Sequence, residues 1–285
     1  MQVNVSKVVT FEDQPPEGMI NFGVGQPAAN LLPLDLMQAA SERFYQTAEP
    51  LDLNYGLLQG DPRYLESLAT FLSHNYHSSI SADSLFLSGG CSQALDFICA
   101  HFSKAGDTIF VEEPCYFLAF QIFADHDLNI VSVPTDDQGM DIDALEILLE
   151  TIHPSLIYTI PSFQNPSGRC ISETRRLRLA DLSIKHDFLI VADEVYQLLS
   201  YYEAPPPAFG TFVNKGNIFS IGSFSKILAP GIRLGWIQSS SDKIQALKNC
   251  GAINSGGSLN HYASHIVRHA IDMGLLQAHL DHLRT

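Results

Sequence analysis

The sequence predicts an α/β fold, a mostly parallel seven-stranded sheet with helices on both faces, and three observations predict it. From about residue 84, short β-branched apolar runs alternate with longer amphipathic ones, the change of period that marks βα units. The Pro/Gly-rich breaks, including Ala204-Pro-Pro-Pro-Ala208, fall between those runs as loops of one large domain, with no internal repeat. The 285 residues are 46% hydrophobic and 16% charged, enough to bury a sizeable core.

Taken in chain order, residues before about 60 read as a polar, turn-rich arm that does not fit the alternation. The expected strands are Ser84–Ser88, Thr108–Glu112, Asn129–Val133, Leu156–Ile160, Phe188–Ala192, Asn217–Ile221 and Leu234–Gln238. The run Phe188-Leu-Ile-Val-Ala192 is apolar throughout, as suits a parallel strand covered on both faces. Cys91–Phe102, Met140–Thr151 and Ser172–His186 read as helices between strands, and Leu259–Thr285 is helical in pattern. The expected division is an N-terminal arm over 1–60, a large domain over 61–250 and a helical linker over 251–285.

Sixteen Lys and Arg against 31 Asp and Glu leave a formal charge of −15, which argues against a nucleic-acid or anionic-membrane surface and for a small-molecule partner. The first residues lack a basic and apolar leader, and no apolar run approaches the roughly 18 residues of a membrane span, so a soluble, cytoplasmic chain is expected. Cys91, Cys99, Cys115, Cys170 and Cys250 are odd in number and never paired as C-x-x-C, the pattern of reduced thiols rather than a disulfide frame or zinc site. His261, His265 and His269 recur every fourth residue and are expected on one solvated helix face, with no metal.

In an open α/β sheet a ligand sits beyond the carboxyl ends of the strands. After Ser84–Ser88 comes Gly89-Gly-Cys-Ser-Gln93, a glycine turn opening into a helix, where Gly90, Cys91 and Ser92 can cradle an anion. After Leu156–Ile160 comes Pro161-Ser-Phe-Gln-Asn-Pro-Ser-Gly168, with Asn165 as an amide donor. After Phe188–Ala192 comes Asp193, with Tyr196 three residues on. After Asn217–Ile221 come Ser223, Ser225, Lys226 and, past a Pro-Gly turn, Arg233.

Each feature alone also suits a tight turn or a helix cap. Phe-Ser-Lys even occurs twice, and at Lys104 it needs no chemistry. The convergence of all of them on one sheet edge is what points to chemistry. Gly23-Val-Gly25-Gln-Pro-Ala28 matches a dinucleotide fingerprint in letters, but Pro27 keeps a helix from starting where a pyrophosphate needs one. A lysine in an apolar run is paired, reaches water, or is kept neutral for chemistry. A lysine that can condense with an aldehyde, an anion site and an acid for a ring nitrogen are the parts that hold pyridoxal 5'-phosphate.

The segments SFSKILAPGIRLGW, SFQNPSGR, VADEVYQLL, SGGCSQALDF, EEPCYF and NYGLLQGDPR resemble, in kind and order, the motifs of class I/II, fold-type I pyridoxal-phosphate aminotransferases. The chain is most similar to the group that includes 2-aminoadipate, kynurenine and aromatic or branched-chain amino-acid aminotransferases. The resemblance runs from about Asn21 to the end. It implies that Lys226 holds the cofactor covalently and then moves the proton at the substrate α-carbon. It implies that Asp193 pairs with the ring nitrogen, that Asn165 and Tyr196 meet the phenolic oxygen, and that Tyr116 stacks on the ring. Ser223, Ser225, Arg233, Ser92 and the backbone at Gly90 and Cys91 then hold the phosphate. Gly25 matches the arm that closes over substrate, with Asn165 also facing it. Tyr55 reaches the neighbouring subunit's site, which implies a homodimer.

Two departures stand out: the family usually reads Gly-Ser-Gln-Gln where this chain has Gly90-Cys-Ser-Gln93, and neither Arg268 nor Arg284 matches the arginine of the family's C-terminal small domain. A truncated small domain is therefore expected, with cofactor binding retained. The implied reaction transfers an amino group from an amino acid to a 2-oxo acid by a ping-pong mechanism. The alternatives are a β-lyase or decarboxylase on the same scaffold, since fold does not set which bond breaks, or an inactive cofactor-binding fragment. A non-catalytic sensor of the transcription-regulator kind carries a winged helix before this domain, for which Met1–Gly18 is too short.

Overall fold

The computed structural model describes Gly18 and residues 25–285. In chain order the elements are α1 Leu34–Thr47, α2 Pro62–Tyr76, β1 Leu85–Ser88, α3 Cys91–Phe102, β2 Thr108–Glu113, α4 Ala119–Asp125, β3 Asn129–Asp136, β4 Gly139–Met140, α5 Ile142–Leu149, β5 Leu156–Thr159 and α6 Glu173–Lys185. They continue with β6 Leu189–Asp193, β7 Ile218–Ser223, β8 Gly235–Ser239, α7 Ser241–Lys248, α8 Gly251–Gly256, α9 His261–Asp272 and α10 Leu275–Leu283. All seven expected strands are present. Among the described residues the sheet has eight strands rather than seven, because the two-residue β4, too short to show alternation, pairs with β3.

The strand order is β1-β8-β7-β6-β5-β2-β3-β4. From β7 to β3 every pairing is parallel, while β8 runs against both β7 and β1. Alternate residues of the parallel strands enter two different cores. Ile109, Val111, Tyr158, Val191 and Phe219 pack with α3 and α4 on one face. Phe110, Ile157, Ile190 and Ile218 pack with α5 and α6 on the other. Each fully buried aliphatic or aromatic side chain there is worth about 1.5–3 kcal/mol relative to exposure.

Turn chemistry sets the element boundaries. Asp61 caps α2 by accepting from Tyr64 N–H at 3.2 Å, just before Pro62 in the first turn, and Asp141 caps α5 through Asp143 and Ala144 N–H. The segment expected as one helix over Leu259–Thr285 is two, broken at Gly274, whose φ of +71° ends α9's path. Within the expected arm, α1 is a 14-residue helix that the apolar pattern does not reveal, because it buries only Ala40 and Phe44 and has no side-chain cap. The Gly23 half of the fingerprint-like stretch lies outside the described residues; from Gly25 on, only a short 3-10 turn, Ala29–Leu31, precedes α1.

The histidines of α9 are not on a solvated face. His265 is fully buried and His269 nearly so, because that face packs on α1 and α2, with the His265 ring stacked on Phe44 at 5.6 Å. His265 Nε2 shares a hydrogen bond with His261 Nε2 at 3.1 Å. Burial, helped by His261 and opposed by Asp61 and Asp52, holds His265 down at about 4. An unfolded histidine titrates near 6.5, so the unfolded chain takes up a proton between about 6.5 and 4 that the folded chain refuses. Stability is therefore expected to fall as pH drops through that window. Urea-unfolding midpoints measured from pH 7 to 4.5 check this, and His265→Phe is expected to flatten the slope.

Candidate active site

Two antiparallel pairings bring the residues expected to cradle an anion together. Ser88 at the end of β1 pairs with Gly235, which pairs in turn with Ser223 at the end of β7, so the turn into α3 lies beside the stretch after β7. Gly90, at φ +93°, opens α3 without a side-chain cap, and the first helical bond, Ala94 N–H to the Gly90 carbonyl, leaves the N–H groups of the preceding turn outside the ladder. A Cβ placed on Gly90 would stand 3.4 Å from Ser223 Oγ and 3.5 Å from Arg233 Nη2, so a hydroxyl and a guanidinium face the positive end of α3. Gly235 makes the approach possible: a Cβ there would lie 2.8 Å from Gly90 Cα and 2.3 Å from the Gly222 carbonyl oxygen.

Ser223 Oγ donates to Ser225 Oγ at 2.9 Å and accepts from Ser225 N–H at 3.1 Å. Asn260, at the head of α9, donates its amide to the carbonyls of Ile232 and Arg233 and so pins the arginine's backbone.

Asp193 ends β6 and is 6% exposed. Its Oδ2 accepts from Tyr158 Oη at 3.0 Å and its Oδ1 from Val195 N–H at 3.3 Å. Burial pushes its carboxyl up, while hydrogen bonds from the Cys91 thiol, Tyr158 and Val195 and the charge of Lys226 pull it back. Lys226 is half-buried, and burial lowers its ammonium against the attraction of Asp193. Its Nζ donates to the Gly25 carbonyl, so Gly25 too is drawn to this edge. Tyr196 takes a hydrogen bond from Asn165, and burial and Asp193 push Tyr196 up. Tyr116, half-buried beside Asp193 and Tyr196, is pushed up to about 12, chiefly by burial.

A buried polar frame holds the Asn165 loop. Gln164 donates to the Pro114 carbonyl at 2.7 Å and accepts from Ser167 N–H at 2.8 Å. Arg176, fully buried, donates to the Pro161 carbonyl at 2.6 Å and to Ser162 Oγ at 2.7 Å, and stands 4.0 Å from Glu194. Glu194 in turn accepts from Phe209 and Gly210 N–H and from Ser220. Glu112 accepts from Ile160 N–H at 3.0 Å, and burial pushes its carboxyl up to about 7.

The edge thus joins an amine, a buried carboxyl, an amide–phenol pair and an anion cradle. The family described as aminotransferase class I and II matches residues 17–283. The chain belongs to that family. Aromatic-amino-acid aminotransferase 1 of Thermococcus litoralis is 34% identical over 81% of this chain and 56% of its own length. An HTH-type transcriptional regulator of Bacillus subtilis is 31% identical over 83% of this chain and 48% of its own. The crystal structure of Pyrococcus horikoshii kynurenine aminotransferase, in complex with PMP, matches 92% of this chain and 65% of that one at TM-score 0.84 and 30% identity. The chain spans about half the length of the curated relatives it matches.

In this class I and II chain, eleven of the sequence-expected residues meet at the edge: Gly25, Gly90, Cys91, Tyr116, Asn165, Asp193, Tyr196, Ser223, Ser225, Lys226 and Arg233. Two do not join them by contact. Among the described residues, neither the side chain of Tyr55, 83% exposed, nor that of Ser92, exposed in the first turn of α3, is hydrogen-bonded to any of them. Tyr158 escapes sequence reading because in Leu-Ile-Tyr-Thr it looks like one more strand residue. The signal available is that a buried phenol must find a partner for its O–H. Among the described residues no helix is long and apolar enough to cross a membrane.

Proposed function

We propose that the chain carries the pyridoxal phosphate site of an aminotransferase and serves amino-group transfer from an amino acid to a 2-oxo acid, the first product leaving before the second substrate binds. The meeting of Lys226 with Asp193 beside the Gly90, Ser223 and Arg233 cradle carries this reading. The residues present suit the group: a cradle that a Cβ at Gly90 would fill, a half-buried amine and a dry carboxyl. Pyridoxal phosphate, when bound, supplies an aldehyde for an amine to condense with and a ring that takes up electrons from a bond broken at the substrate α-carbon.

Ser223, Ser225, Arg233, Ser92 and the backbone of Gly90 and Cys91 bind the phosphate. Asp193 keeps the ring nitrogen protonated, Asn165 and Tyr196 orient the phenolic oxygen, and Tyr116 covers the ring. Lys226 Nζ, its charge disfavoured by burial, is the base and then the acid at the substrate α-carbon. Gly25 and Asn165 face the substrate. Exposed Tyr55, with exposed Leu51, Leu53 and Leu57 around it, supports a homodimer in which Tyr55 enters the second copy's site. The division into 1–60, 61–250 and 251–285 belongs to the same reading, supported by the sheet's lying wholly within 61–250. The name of the Thermococcus relative and the PMP complex of the Pyrococcus neighbour support transamination over the β-lyase and decarboxylase readings.

The purified chain is expected to develop a visible absorption band on adding pyridoxal phosphate, and then to yield 2-oxo acid and pyridoxamine phosphate with amino acids. Absence of the band, or release of ammonia or carbon dioxide instead, overturns this reading.

A further inference from the structure

We propose that Tyr158 is a positioning residue for Asp193: its buried phenol holds one carboxylate oxygen and sets which way the carboxylate faces. The inference rests on the reading of Asp193 as the ring-nitrogen partner. Tyr158 lies in the middle of β5, is 1% exposed, and packs edge-on against Phe123 at 5.6 Å. Its single polar atom is spent on Asp193 Oδ2 at 3.0 Å.

Strand register explains the reach. Tyr158 is opposite Val191, and Asp193, two residues further along β6, points to the same face as Val191. A diagonal pair on neighbouring strands lies within reach of a side chain as long as tyrosine. Val195 N–H holds the other oxygen at 3.3 Å, so each carboxylate oxygen has its own donor and the plane of the group is set from two sides.

The surroundings make that donor matter. Facing Asp193 are Tyr158 from β5, Cys91 from α3, Lys226 from beyond β7, Tyr116 and Cys115 from the loop after β2, and Tyr196 from beyond β6. Lys226 favours the carboxylate by its charge, and Cys91 and Tyr158 favour it by hydrogen bonds; burial opposes all three. In a site of low dielectric, a hydrogen bond to an ionised oxygen is about twice as strong as a neutral one. Loss of the phenol therefore shifts Asp193 towards its protonated form, which lacks the negative charge that would hold a proton on a ring nitrogen by accepting its hydrogen bond.

The test titrates Asp193 directly by isotope-edited infrared spectroscopy on the cofactor-free full chain, with carbon-13-labelled aspartate and Asp193→Asn to identify the band. Tyr158→Phe removes the O–H and keeps the ring, and 3-fluorotyrosine placed at 158 makes the phenol a stronger donor. The Asp193 midpoint is expected to rise by about one pH unit in Tyr158→Phe. It is expected to fall with fluorotyrosine, an opposite movement that mere packing does not produce. An unchanged midpoint in both, or a shift in the same direction in both, overturns the proposal. With pyridoxal phosphate added, the pH dependence of the absorption band is expected to change in the same order. A chain that never develops the band overturns the aminotransferase reading, and the cofactor-free titration still decides the role of Tyr158.

Discussion

Lys226→Ala is expected to abolish the absorption band that pyridoxal phosphate produces on this chain and to cut amino-group transfer by at least about 10³-fold, the scale lost when a nucleophile and proton carrier disappear together. Lys226 is the amine drawn to the carboxyl edge by its neighbours: its Nζ meets the Gly25 carbonyl and it feels the charge of Asp193. The same three letters at Phe102-Ser-Lys104 end α3 and leave Lys104 exposed, so Lys104→Ala is the matched control and is expected to leave the band intact. Absorbance spectra of the two variants, each mixed with the cofactor, decide the matter. A band that survives in Lys226→Ala would move the covalent site elsewhere. The cradle does not depend on the lysine, so Lys226→Ala is expected still to bind the phosphate group, measurable by equilibrium dialysis.

Gly235→Val is expected to destabilise the fold by about 3 kcal/mol, the upper range for forcing atoms into a packed site, and to weaken phosphate binding at least tenfold. The reason is the nature of the atoms met. An added Cβ would sit 2.3 Å from the Gly222 carbonyl oxygen and 2.8 Å from Gly90 Cα, and both are backbone. Relief requires β1 and β7 to part from β8, which carries Gly90 away from Ser223 and Arg233. Urea unfolding gives the first quantity and titration with pyridoxal phosphate gives the second. Gly231→Ala, next to the same arginine but with open space around it, is expected to change neither.

Much of this site can be read along the chain, because βα units write their own ends. A strand is marked by its run of apolar residues, and the turn at its end lands at the carboxyl edge by the parallel topology alone. Asn165, Asp193, Tyr196, Ser223 and Lys226 are all legible this way, as is α3 with Gly90 at its head. A feature with a local cause shows in a local stretch. The two-residue β4 and the sparsely buried α1 carry too few apolar contacts to leave such a mark.

The remainder depends on which residues face one another across the sheet, and no stretch of letters holds that. The antiparallel insertion of β8 between β1 and β7 is what places Gly90 against Ser223 and Arg233. The register of β5 on β6 is what brings Tyr158 to Asp193 across 35 residues of chain. His265 and His269 of α9, spaced with His261 as for a wet helix face, are dry because α1 and α2 pack over them. Burial and hydrogen-bond partnership are properties of the assembled layers: they arise when surfaces distant in the chain exclude water from each other, which the order of residues in any one element does not express.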